Sequence, residues 1–238
     1  MKRIMLQPAY VLHRRSYRET SFIVELFSAD HGRVSVVARG IRKAKSFDQG
    51  ILQPFIPLLV SFSGKGELMS LTHVEAAGSV SPLRGACLFA GFYLNELLVC
   101  LLQKWDAHPD LYQVYAKTVA ILQASPLEQK TLRSFEKYLL DELGYGLLPK
   151  TEASLVRTFL PDRYYRFIPD LGFVLSELDG QVNSQSNLFL GKNLLAMARE
   201  DWQDDDCLQD AKRLMRFVFA PLLGARPIYS RQLFIQEG

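Results

Sequence analysis

Cysteine is scarce in this chain: among 238 residues only Cys87, Cys100 and Cys207 carry a thiol. An odd, widely spaced set argues against a disulfide framework and points to a reducing, cytoplasmic setting. Histidine is nearly as rare. None of His13, His31, His73 and His108 has another histidine or a cysteine at metal-ligand spacing, so no metal or other cofactor is expected. Long apolar runs are missing too. The longest, Ala86 to Leu102, carries Asn95 and Glu96 near its middle and falls short of a membrane span. Near the start, Gln7 and Pro8 interrupt the apolar residues before they reach signal-peptide length, so no export is expected. Catalytic signatures are absent as well. Gly64-Lys65-Gly66 lacks the G-x-x-x-x-G-K-[ST] frame that wraps phosphate and reads as a hairpin turn, and there is no G-x-S-x-G elbow. These absences together predict a protein that is not an enzyme.

What is present is a globular composition, 48% hydrophobic and 22% charged, sufficient for one large or two modest domains. The net charge of +3 hides an asymmetry. Residues 1–80 carry eleven Lys and Arg against six Asp and Glu, whereas the remainder carries seventeen against nineteen. An excess of positive charge at one end points to an N-terminal unit that meets a polyanion.

The anchor of that unit is the stretch from Thr20 to Ser46. Phe22, Val24 and Leu26 alternate with their neighbours, Asp30-His31-Gly32 supplies turn chemistry, and Val34, Val36 and Ala38 resume the alternation. Ala9 to Arg14 predicts a preceding strand, and Leu58–Ser63 and Glu67–Glu75 predict two more across Gly64-Lys65-Gly66. Five strands with a long third connection fit a five-stranded Greek-key barrel of the OB type, although an SH3-like topology has the same tally.

Beyond Pro82 the apolar period changes from two to about 3.6. Gly85 to Lys104, apolar nearly all round, predicts a central buried helix, and a second is expected from Pro109 to Gln123. A third is expected from an N-cap at Ser125, with Pro126 at its first position, Glu128 three residues after the cap and Gly144 past its end. Residues 150–190 carry a weaker pattern, with a hairpin expected from Tyr164–Ile168 and Phe173–Leu178. Helices follow from Lys192 to Arg199 and from Leu208 to Ala220. The fold class is therefore α+β, an OB-type barrel over 1–80, a helical domain over 81–149, a small irregular β segment over 150–190 and C-terminal helices over 191–238.

Three groups of basic residues are candidate binding surfaces. Arg33, Arg39, Arg42, Lys43 and Lys45, with no acidic residue between Arg33 and Asp48, join Arg14, Arg15 and Lys65 on the barrel. OB barrels bind single strands through such charge and through aromatic rings, for which Tyr10, Tyr17, Phe22, Phe27 and Phe47 are available. Lys130, Arg133 and Lys137 form a stripe on the third helix that suits an acidic peptide tail if an apolar groove lies beside it. Lys212, Arg213 and Arg216 are further basic candidates. Each group also has a plainer reading as ordinary solvated charge. The acidic run Asp204–Asp206 fits the start of a helix, where the macrodipole favours carboxylates, better than a cation site.

The order and spacing of many short motifs resemble the RecO family of recombination mediators. They include Glu19-Thr20-Ser21, Val37-Ala38-Arg39-Gly40, Leu52-Gln53-Pro54-Phe55, Gly66-Glu67-Leu68, Tyr93-Leu94-Asn95-Glu96-Leu97-Leu98, Arg133-Ser134-Phe135-Glu136, Leu143-Gly144-Tyr145-Gly146 and Pro221-Leu222-Leu223-Gly224. The resemblance implies an OB domain followed by a helical domain. It further implies binding of single- and double-stranded DNA, annealing of complementary strands and loading of the RecA recombinase, in partnership with RecR. It also implies capture of the acidic C-terminal tail of single-stranded DNA-binding protein, with Arg133 as a tail-binding residue and Lys130 and Lys137 as its neighbours. Many members carry a four-cysteine zinc module before the C-terminus. This chain has no cysteine from Thr151 to Asp206, so 150–190 is expected to be a metal-free remnant. The alternative is an OB-fold adaptor that works through protein contacts with weak or no DNA binding.

Overall fold

A computed structural model describes residues 2–41, 50–78, 81–149, 151–177 and 187–233. It divides into two compact units, Met1–Leu127 with Arg226–Gly238, and Glu128–Ala225. The first unit therefore extends beyond the barrel that was expected to end at residue 80 and takes in two of the helices assigned by sequence to a helical domain.

Five strands, β1 (Lys2–Tyr17), β2 (Ser21–Ser28), β3 (Gly32–Ala38), β4 (Leu58–Gly64) and β5 (Leu68–Ala76), close into a barrel of order β1-β2-β3-β5-β4. All contacts are antiparallel except β3 with β5, which is parallel. That order is the OB arrangement and removes the SH3-like alternative. Closure depends on β1, which pairs with β2 through its second half and with β4 through its first. Register shifts at Ile4/Gln7 and Val11/His13, with Leu6 at φ 46°, bend it from one partner to the other. They also break the period-two pattern, which is why only Ala9–Arg14 of this strand is legible in the sequence.

The barrel is filled by Val11, Val24, Leu26, Val34, Val36, Leu58, Val60, Phe62 and Met69, all at most 1% exposed. A second apolar layer lies outside it. Helices α1 (Gly85–Leu101) and α2 (Pro109–Ala124) belong to this unit. Tyr10 and Phe27, on the outer face of β1 and β2, meet Tyr112 and Tyr115 at ring centroid separations of 5.2–5.9 Å. Tilted aromatic pairs of this kind each add about 0.5–1.5 kcal/mol beyond the area they bury. Buried Asn95 locks the layer, donating to the Leu12 carbonyl at 2.9 Å and accepting from the Tyr115 hydroxyl at 2.6 Å. Burial accordingly pushes the Tyr115 phenol well above its ordinary pKa. The short helix α7 (Ser230–Leu233) returns to α1, where the Ser230 amide and hydroxyl donate to Glu96.

The second unit begins with α3 (Gln129–Glu142). The expected cap at Ser125 is not used. Ser125 instead ends α2, its amide bonded to the Ile121 carbonyl, and α3 starts after Glu128. Ser125-Pro126-Leu127-Glu128 spans the boundary between units, and the chain remains extended at both Ser125 and Glu128. Helix α4 (Glu152–Thr158) follows, capped by Thr151, then a sheet of β6 (Tyr164–Ile168), β7 (Gly172–Leu175) and β8 (Leu188–Leu190) in the order β7-β6-β8. Phe159, Tyr165, Phe167, Phe173 and Phe189 cluster at 5.1–6.0 Å, so this segment is held together by aromatic packing. Helices α5 (Gly191–Arg199) and α6 (Asp205–Leu223) complete the unit.

Candidate polyanion-binding end of the barrel

Strand register sorts the basic residues of the barrel into two ends. Arg15 pairs with Ile23, and Ile23 with Val37, so one row crosses three strands on the outer face. Tyr17 lies two residues beyond Arg15 on that same face, and Arg39 directly follows the last residue of β3. Arg15, Arg18 and Arg39 are exposed there, around the turn from β1 to β2 and the exit of β3. Arg18, which the sequence reading passed over, occupies the turn with φ 52° and its guanidinium lies over the Tyr17 ring at 5.2 Å. Glu19 is the one carboxylate in that turn.

Arg14 lies on the inner face at the same end, paired with Val24. Its guanidinium covers Phe22 at 5.2 Å and donates to the Leu52 carbonyl at 2.9 Å, which makes it a lid on the barrel mouth. Arg42, Lys43 and Lys45 lie outside the described residues. The flanks of their segment do not: Ile41 packs against the barrel core, and Ile51 and Leu52 belong to it. Both ends of the basic segment are thus anchored at the mouth that carries Arg14, Arg15 and Arg39.

Arg33 and Lys65 lie elsewhere. Six residues of strand, about 20 Å, separate Arg33 from Arg39. The Arg33 guanidinium donates to the Leu102 carbonyl and pairs with Glu25 at 3.5 Å, and Glu25 also accepts from Ser35. Its charge is spent on tying β3 to the end of α1. Lys65 is exposed in the β4–β5 turn, at the Arg33 end of the barrel, since Leu68 pairs with Ser35 and Lys104, whose backbone forms a β-bridge with that of Arg33, makes an ion pair with Glu67.

The stripe expected on α3 is not an open basic face. Lys130 pairs with Glu128 at 2.6 Å and Lys137 with Glu200 at 2.9 Å. Arg133 is 5% exposed and pairs at 2.7 Å with Glu136, which is fully buried. Spacing of i, i+3 and i+7 could not reveal this, because the carboxylates come from the cap position, from the helix's own buried side and from residue 200. On α6, Arg213 is likewise enclosed, bonded to Asp210 at 2.8 Å and to the Leu188 carbonyl, with the Phe189 ring beneath it. Burial raises the Asp210 carboxyl pKa against the opposing bonds from Asn193 and Arg213.

Lys212 is half-buried and Arg216 exposed. Burial lowers the Lys212 ammonium pKa, and Arg216 and Arg133 lower it further, while Glu136 opposes them. Arg216, Arg133 and Glu136 thus all lie within electrostatic reach of Lys212. Separately, Gly144–Leu147, the β6–β7 turn and the end of α6 at Phe217, Val218 and Pro221 line an open, largely apolar groove of about 590 Å³. The Asp204 carboxylate accepts from the Asp206 amide and caps α6, which accounts for the acidic run. Among the described residues no group of three His, Cys, Asp or Glu side chains is placed to hold a metal ion, and no helix is long and apolar enough to cross a membrane.

Comparison with known proteins identifies the class. Residues 1–80 match the family model for the N-terminal part of recombination protein O, and residues 85–228 match that for its C-terminal part, which makes this a protein of DNA repair and recombination. A DNA repair protein RecO of Coxiella burnetii is 44% identical over 232 residues, 98% of each chain. Those of Nitrosococcus oceani (44%, covering 97% of this chain and 93% of the relative) and Methylococcus capsulatus (42%, covering 98% and 93%) are similar throughout. The chain belongs to the RecO family.

Proposed function

We propose that the chain acts as a recombination mediator that binds single- and double-stranded DNA through the β1–β2 end of its OB barrel and anneals complementary strands. The observation that carries this reading is the gathering of Arg15, Arg18 and Arg39 at the mouth where both flanks of the 42–49 segment are anchored. Guanidiniums there neutralise phosphates and lower the repulsion between two approaching strands, a role that needs no catalytic group. Arg14 and Arg33 shape the barrel rather than meet DNA, and Lys65 contributes at most from its far end.

The second part of the proposal is capture of the acidic tail of single-stranded DNA-binding protein by the helical unit, so that its coat is remodelled and RecA is loaded with the help of RecR. Lys212 and Arg216, four residues apart on α6 and half-buried and exposed respectively, support an acidic ligand. Because Arg133 is enclosed, Lys212 and Arg216 are the residues that would meet the tail. The test is annealing of complementary strands, naked and coated with single-stranded DNA-binding protein with or without its tail. Acceleration on naked strands and on tail-bearing coats, with little on tail-less coats, is expected. No acceleration on naked strands refutes annealing, and equal rates on both coats refute tail capture.

A further inference from the structure

Of the five aromatic residues available for stacking, four lie among the described residues, and of those the structure leaves one. Tyr10 and Phe27 are sealed under Tyr112 and Tyr115. Phe22 faces the barrel interior and is roofed by Arg14, which Leu52 holds in place. Phe47 lies outside the described residues. Tyr17 remains, half-buried, at the end of β1 on the outer face that also carries Arg15, at the end of the barrel where β3 leads into exposed Arg39. It pairs with Ser21, and the next residue of β2, Phe22, pairs with Ala38, the last residue of β3 before Arg39. Arg18 is held over its ring from a left-handed backbone conformation that residues other than glycine rarely adopt.

We propose that Tyr17 is a stacking residue for an unpaired nucleic-acid base, with Arg18 backing the ring and Arg15 and Arg39 taking the flanking phosphates. The inference rests on the DNA-binding reading above and adds to it a discrimination between strands. A base inside a duplex has both faces covered by its neighbours, whereas one in a single strand is splayed out at small cost. Charge at the mouth serves both forms of DNA; Tyr17 serves only the single strand. Stacking is indifferent to base identity, so the preference is for single strands of any sequence.

The test titrates the full chain, by fluorescence anisotropy, with a labelled oligothymidylate, with a strand of the same length made of abasic sugar-phosphate units, and with a duplex. The intact chain is expected to bind the abasic strand about 5- to 150-fold more weakly than the oligothymidylate, the range for loss of one stacked base. Tyr17→Leu should lose a similar factor on the oligothymidylate, nothing further on the abasic strand, and less than about twofold on the duplex, while Tyr17→Phe retains binding. Equal affinity of the intact chain for abasic and normal strands overturns the proposal without any variant. So does a Tyr17→Leu chain that weakens on single strand and duplex alike. If the intact chain binds none of the probes, the DNA-binding reading itself falls and takes this one with it.

Discussion

Replacing either partner of the Arg133–Glu136 pair should cost far more stability than replacing both. Their side chains are 6% and 0% exposed and meet at 2.7 Å, one turn apart on α3. Glu136→Leu leaves a buried guanidinium beside Lys212 with its counter-charge gone, and Arg133→Met leaves a buried carboxylate. Removing one member of such a pair typically costs about 3–5 kcal/mol, whereas exchanging both for apolar side chains of similar size is often close to neutral. Arg133→Met belongs at the lower end of that range, because Lys212 also acts on Glu136. Urea denaturation followed by tryptophan fluorescence measures the effect in the right place. The two tryptophans report on different units: Trp105 in the first, and Trp202, whose indole donates to the α3 residue Ser134 at 2.9 Å, in the second. The double variant should recover most of the loss seen in each single one. Singles costing less than about 1 kcal/mol, or a double variant equal to their sum, would refute the buried pair. The result also bears on function: Arg133→Glu would set two carboxylates together in a closed site, so loss of tail binding by that variant would report on folding, and Arg216→Glu is the cleaner probe.

Two further outcomes follow from the barrel. Gly32→Ala should destabilise the first unit by more than about 2 kcal/mol in the same denaturation assay, because Gly32 has φ +62° and a methyl there would sit 1.6 Å from the Asp106 carbonyl oxygen. His31, beside Trp105 and Phe62, has its pKa lowered by burial and then by Lys2, against Asp30. As pH falls below 6.5 the unfolded chain takes up this proton before the folded one, so stability should decline there and be complete above it; urea midpoints at a series of pH values should show a shallower decline in His31→Gln.

The parts of this molecule written in local pattern were legible in its sequence, and the parts written in tertiary contact were not. Strands β2 to β5 follow their alternation to within a residue or two. Their order around the barrel does not, since the parallel β3–β5 contact joins residues more than thirty positions apart. The Ser125, Pro126 and Glu128 signature fits a helix start as well as the chain found there, a helix end followed by an extended crossing between units. Helix α4 is too short to carry a readable apolar stripe in its seven residues, and Thr151, its N-cap, is a weak signal alone. For the basic residues, sequence shows charge but not its partner. Arg15 and Arg39 remain exposed; Arg33, Arg133 and Arg213 are neutralised by Glu25, Glu136 and Asp210.

Whether polyanion binding belongs to the β1–β2 end of the barrel is decided by the salt dependence of single-strand binding. The slope of log K against log salt should be shallower for Arg15→Ala/Arg39→Ala by about 1.4, since each phosphate contact to a single strand contributes about 0.7. Lys65→Ala, at the opposite end, should leave the slope unchanged. A slope that survives loss of Arg15 and Arg39 but falls with Lys65 would contradict the account and move the DNA to the other end of the barrel.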